Sequence, residues 1–283
     1  MFMIRNCQSK IILLLTVAIA SAGCATLQPP DANGPRVNES VYPLLYIADD
    51  ARRNAATSAI GRLEPAGNAE TGSALQPITL TIGNLSSLAG QALYLPKLGT
   101  EAVMTEEETR ESLRRFIREW EDLIGSDPTK LSLVERVDQP DGTKLASYEQ
   151  RPFRYPIRGN FGKLQIRFTV DRRVVSMTST CIPEADRIQT TLAGITVKLK
   201  PEDVSNQLLN NPISYTDAAG TQQTFKVAAA THLKPRELVT FIRASKNKPD
   251  ALEFHIAWEV ELVSAPVRRV YVDAVNGEII AVE

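Results

Sequence analysis

The chain has 283 residues, 43% hydrophobic and 23% charged, with 32 Lys and Arg against 33 Asp and Glu. This composition excludes a wholly disordered or collagen-like chain, and the near-zero net charge gives no global pull toward nucleic acid. Two histidines exclude a histidine-rich metal site, and three cysteines exclude a disulfide-dense scaffold.

Arg5 and Lys10 flank or precede an apolar run from Ile11 to Ile19 that only Thr16 interrupts. Small residues then lead to Cys24. The run is shorter than the roughly 20 residues a membrane-spanning helix needs, so it reads as an export signal. Two processing sites compete. Ala20-Ser21-Ala22 suits ordinary cleavage and secretion, whereas Ala22-Gly23-Cys24 resembles a bacterial lipobox, with Ser21 where Leu is usual. A cysteine directly after the small-residue cluster favours the second. Residues 1–23 are then a lipoprotein signal peptide and Cys24 is the lipidated first residue, with the membrane as partner through that lipid. Ala25, rather than Asp, implies by the same resemblance an outer-membrane location facing the periplasm. Cys7 would leave with the signal. Cys181, after a Val-rich run, reads as a buried small hydrophobe.

Residues 24–100 read as a tether and an N-terminal region whose structure the sequence leaves open. Leu27 to Asn38 is rich in Pro, Gly and Asn. Two apolar islands follow, Val41 to Ala48 and Ile78 to Leu95, and Ile78 to Ile82 alternates like a strand. Thr105-Glu106-Glu107-Glu108 is a capping box, and Leu113, Phe116, Ile117, Trp120, Leu123 and Ile124 recur at helical spacing up to Gly125. Strands are expected over 131–137, 143–150, 162–170 and 174–181. Pro201, followed by Glu202 and Asp203, opens a second helix with Val204, Leu208 and Leu209 on its apolar face. Strand-like runs at 225–230 and 238–243 lead to the most regular alternation in the chain. There Leu252, Phe254, Ile256, Trp258, Val260 and Leu262 interleave with Glu253, His255, Ala257, Glu259 and Glu261. The pattern predicts one buried and one wet face, with Trp258 central and His255 exposed. Segments 267–273 and 278–282, joined through Asn276-Gly277, close a hairpin. The fold class is α+β: two helix-on-antiparallel-sheet units in tandem, over 101–185 and 186–283, after a signal peptide and a flexible lead.

His255-Ile256-Ala257-Trp258-Glu259-Val260, Val270-Tyr271-Val272-Asp273-Ala274 and Asn276-Gly277-Glu278-Ile279-Ile280 together resemble the PepSY domain of peptidase propeptides. The preceding block is similar to the FTP propeptide module of the fungalysin and thermolysin class. The likeness lies in Tyr148-Glu149-Gln150, Pro156-Ile157, Gly162-Lys163-Leu164 and Arg173-Val174-Val175-Ser176. In such proteases a zinc domain with HExxH follows the propeptide, whereas neither His232 nor His255 lies in that motif. The resemblance implies a propeptide-like scaffold without its enzyme, acting in trans on an envelope metallopeptidase or reused as a structural or ligand-binding envelope module.

No nucleophile elbow, phosphate-binding glycine loop or paired-cysteine metal motif is present, so neither a cofactor nor an enzymatic activity is expected. His255 with Glu253 and Glu259 has the residue types for a divalent ion, but an ordinary charged sheet face explains them better. Residues 151–173 carry seven basic side chains and one acid. Arg151, Arg154, Arg158, Lys163 and Arg167 are the candidate interaction residues for anionic lipid, glycan or an acidic protein face, not nucleic acid. The competing expectation is pairing within the domain, with the glutamate-rich helix at 106–122.

Overall fold

A computed structural model describes residues 42–63, 74–85, 92–100 and 103–283. The expected signal peptide, Cys24 and the tether lie outside the described residues. The described residues are mixed α and β, with five α-helices and sheets of mainly antiparallel strands.

The helix predicted from the capping box forms as α2, Glu106–Glu119. Thr105 Oγ1 accepts from the Glu108 amide (3.2 Å), and the Glu108 carboxylate accepts from the Thr105 amide (2.8 Å). The chain leaves helical geometry at Trp120, resumes as α3 (Glu121–Ile124), and stops at Gly125, whose φ of 80° is the left-handed value a helix C-terminus favours in glycine. Leu113, Phe116, Ile117, Leu123 and Ile124 are buried in one cluster with Ala146, Leu164, Ile166, Phe168 and Met177. The latter five belong to β4 (Lys144–Gln150), β6 (Lys163–Phe168) and β7 (Arg173–Ser179), which with β2 (Leu93–Tyr94) and β3 (Leu131–Asp138) form a five-stranded sheet ordered β2-β7-β6-β4-β3. Each fully buried Leu or Phe there contributes about 1.5–3 kcal/mol. Val170, at the end of the strand expected over 162–170, lies beyond the end of β6 and is 45% exposed.

The second sheet has six strands. β10 (Leu233–Ala244), β11 (Ala251–Leu262), β12 (Arg269–Asp273) and β13 (Ile279–Val282) form an antiparallel meander. Two further strands come from earlier in the chain: β1 (Leu44–Ile47) pairs antiparallel with residues 251–254 of β11, and β5 (Ile157–Gly159) pairs parallel with residues 240–242 of β10. The expected boundary between 185 and 186 is therefore crossed by strand pairing, because β5 belongs to the first half by sequence and to the second half by hydrogen bonds. Ordered structure also begins well before residue 101. β1 leads into α1 (Asp50–Gly61), and Ala59 and Ile60 of α1 join the core under α2.

Three further expectations give way. Residues 78–82 are a turn rather than a strand: Leu80 has φ 52°, and the carbonyls of Thr79 and Leu80 bond the Arg52 guanidinium (3.1 and 2.6 Å) instead of a neighbouring strand. A helix absent from the sequence reading, α4 (Ala185–Ala193), places Ile188 and Leu192 against the six-stranded sheet. Residues 226–229 are not strand; β8 (Ile213–Thr216) and β9 (Gln222–Phe225) instead make a separate two-stranded hairpin after α5 (Pro201–Asn210).

Candidate functional site

The chemistry-bearing side chains of the second half gather on one face of β11. The opposite face carries Leu252, Phe254, Ile256, Val260 and Leu262, all buried in the clusters that also hold α4 and α5. Trp258 bridges those clusters, only partly buried, and its indole N–H donates to the Leu199 carbonyl at 2.9 Å. The polar face was expected to be wet. It is not: His255 is 1% exposed, Ala257 0%, and Glu253 and Glu259 6% each. Neighbouring strands supply the cover, with Phe241 directly opposite His255, Tyr271 opposite Glu259, and the Tyr42 ring edge-on to the imidazole at 5.8 Å.

Within this face His255 Nδ1 donates to Asp273 Oδ2 (2.7 Å), and Nε2 lies 3.4 Å from Glu253 Oε2. Asp273 is fully buried, and its other oxygen accepts from the amides of Val275 (2.8 Å) and Asn276 (3.1 Å). The Tyr42 hydroxyl accepts from the Ile256 amide at 2.7 Å. Burial first, and then the Asp273 carboxylate, push the Tyr42 phenol up, so it stays protonated beside that carboxylate. Glu253 is raised by burial, but hydrogen bonds from Ser245, Arg243 and His255 outweigh this and hold it below the usual carboxylate value. Ser245 Oγ donates to Glu253 (2.7 Å) and accepts from the amides of Asn247 and Lys248. Arg243 binds Glu253 (2.8 Å) and the Ile280 carbonyl (2.9 Å). Each hydroxyl near the imidazole is thus committed to holding a turn or a strand, and no buried side-chain polar atom among the described residues lacks a partner. No group of His, Cys, Asp and Glu among the described residues is arranged to hold a metal ion. Cys181 is fully buried, as the sequence suggested, and burial pushes its thiol up to about 12.

The five basic residues proposed from sequence do not form one patch. Arg158 sits on β5 and binds Glu259 (2.6 Å) and Glu237 (3.0 Å) on the polar face of the six-stranded sheet. Lys163 and Arg167 are on β6 of the other sheet, where Arg167 binds Thr143 Oγ1 (2.7 Å) and Asp141 at the 139–142 turn. Arg151 lies 3.4 Å from Glu149, and Arg154 stacks on the Tyr155 ring at 5.3 Å. Among the described residues none of them pairs with the acidic helix. Its Glu106 and Glu111 are taken by Arg110 and Arg136, and by Arg114 and Arg115. Sequence reading missed Asp273, Tyr42 and Arg243. Asp273 is legible in retrospect, since an Asp two residues before Val275-Asn276 is well placed to accept both amides of the turn. Tyr42 is not, because its partners are more than 200 residues away.

No family model matches the chain, and no curated protein matches it with significance. Among the described residues no helix is long and apolar enough to cross a membrane.

Proposed function

We propose that this protein is a non-enzymatic, exported lipoprotein of the cell envelope, anchored at Cys24, that works by binding. Its scaffold resembles tandem propeptide modules of the FTP and PepSY kind, each a helix on an antiparallel sheet, and its partner is a metallopeptidase of the same envelope that it inhibits in trans. The observation that carries this reading is the placement of the PepSY-like motif residues. The residues of the PepSY resemblance fall together in β11, β12, β13 and the turn before β13, where Asp273 caps the turn and Gly277, at φ 79°, donates to the Asp273 carbonyl. The motif residues thus specify one hairpin rather than a catalytic centre. The chemistry of the reactive groups points the same way: the thiol is buried and protonated, and the imidazole is held between two carboxylates.

Two measurements test this. Cys24→Ser should move the protein from the membrane fraction to the soluble fraction, and an unmodified mature chain beginning at Gly23 would overturn the anchor. The purified protein should hydrolyse no peptide bond, with or without zinc, and should slow a thermolysin-type peptidase of its own envelope. Linked propeptides gain from high effective concentration, which a shared membrane surface restores in part. No inhibition of any envelope metallopeptidase would overturn the inhibitory role.

A further inference from the structure

We propose that the outer edge of β3 and the groove beside it dock an extended, acidic segment of a partner polypeptide, which adds as a further strand to the five-stranded sheet. β3 is the outermost strand in the order β2-β7-β6-β4-β3, and no strand among the described residues pairs with its far side. The Lys130 carbonyl accepts from the Arg151 amide at 2.9 Å and so points toward β4. By the alternation of a strand, the amide and carbonyl of Leu133 point away from β4, toward the free edge. Edges of this kind are templates for strand addition unless they are short, covered, charged or bulged, and since β3 shifts register between Leu133 and Glu135, its regular template is the Leu131–Leu133 end. β3 runs for eight residues, whereas the opposite edge strand β2 has two.

The side chains make the edge sticky as well as open. Among the described residues seven large hydrophobic side chains are exposed, and three of them, Leu133, Val134 and Val137, are on β3. Between β3 and α2 runs a groove of about 380 Å³ with Ile117, Leu131, Leu133 and Tyr148 on its floor. Its charged lining residues are Arg110 and Arg114. Across this end of the sheet four guanidinium groups, those of Arg110, Arg114, Arg115 and Arg136, share the two carboxylates of Glu106 and Glu111. An incoming strand with apolar side chains over Leu133 and carboxylates toward Arg110 and Arg114 satisfies both features. A second copy of β3 would bring Arg136 together with Glu135 and Asp138 to the same edge, and so supplies less net negative charge than a wholly acidic strand. The inference does not depend on the partner being a peptidase.

The test uses the full-length protein and two labelled eight-residue peptides, one of alternating Val and Asp, the other of alternating Val and Lys. Fluorescence anisotropy should show saturable binding of the Val–Asp peptide at least about tenfold tighter than the Val–Lys peptide, a gap of about 1.4 kcal/mol. Amide exchange should slow along residues 131–138 when the Val–Asp peptide binds. Leu133→Asp should weaken binding by about tenfold or more. Arg114→Glu, on an exposed helix position where folding is not at risk, should do the same. No saturation by about 1 mM, the weak end of peptide recognition, would overturn the proposal. So would equal binding of the two peptides, protection confined to other strands, or a dimer of the free protein that buries β3.

Discussion

Asp273 accepts from an imidazole and from two backbone amides while fully buried, so each of its partners holds a carboxylate that water cannot reach. Removing His255 strands that carboxylate and leaves a cavity beside Phe241 and Tyr42, which together cost about 2–4 kcal/mol. Trp258 on the opposite face is partly exposed, so Trp258→Ala should fall at or below the about 3–5 kcal/mol of a full Trp truncation. We therefore expect His255→Ala and Trp258→Ala to be comparably destabilising in chemical denaturation, and a His255→Ala loss within about 0.5 kcal/mol, the surface range, would contradict the buried placement. Glu253 adds a pH dependence. Its carboxyl is held below the ordinary 4.5, so folding binds fewer protons than unfolding does as the pH falls through that range. The stabilisation from its bonds is complete above 4.5 and is lost as the pH drops through the lower folded value. Glu253→Gln should be less stable than wild type at neutral pH, and the gap should narrow below pH 4.5. A gap that widens on acidification would reverse the sign.

At the scale of elements, β5 is three residues long and joins the two sheets' sequences, and it depends on one glycine. Gly159 has φ 93°, and a Cβ there would sit 2.4 Å from the carbonyl oxygen of Ile242, its partner at the end of the parallel pair with β10. Gly220 has a similar φ of 80° but open space around it. Gly220→Ala should therefore show the backbone strain alone, about 1–3 kcal/mol, and Gly159→Ala should cost distinctly more because backbone must also move. Equal melting temperatures for the two variants would mean that β5 is dispensable. Local signals made some elements readable in advance. The Thr105–Glu108 box and the Gly125 stop specify α2 and α3 from within their own residues, as does the alternation of β11. α4 lacked such a signal, since Glu184 precedes it at φ 56° without a side-chain cap and Thr190-Thr191 are β-branched. The 78–82 segment alternated like a strand, but its carbonyls found Arg52, a partner 27 residues away. The polar face of β11 misled for a different reason. Alternation reports that two faces differ in polarity, and only the cross-strand neighbours Phe241, Arg243 and Tyr271 decide that the polar one is also dry.

For the molecule as a whole, the tandem reading predicts two units that melt separately, whereas the strand order ties them together. β1 and β5 come from residues before 160 and pair with β11 and β10, which come after 230. Lys130 on the first half binds Asp186 on the second, while the Gln150 side chain, bonding both the amide and the carbonyl of Ile182 (2.7 and 3.1 Å), fixes the chain just ahead of the expected boundary. Cutting the chain at 185 would leave β10 without β5, β11 without β1, and the Tyr46 and Phe153 contacts to Phe254 cluster open to water. Such losses are too large for a 98-residue piece that starts with marginal stability. We expect residues 42–283 to unfold in one transition, with equal calorimetric and van't Hoff enthalpies and coincident midpoints for Trp120 and Trp258 fluorescence read in single-Trp variants. Limited proteolysis should show the same unity, with protection extending back to Tyr42 and no stable product starting near residue 100 or 186. Two resolved calorimetric peaks would mean that β1 and β5 are decoration on independent domains, and that the sequence boundary at 185 is also the thermodynamic one.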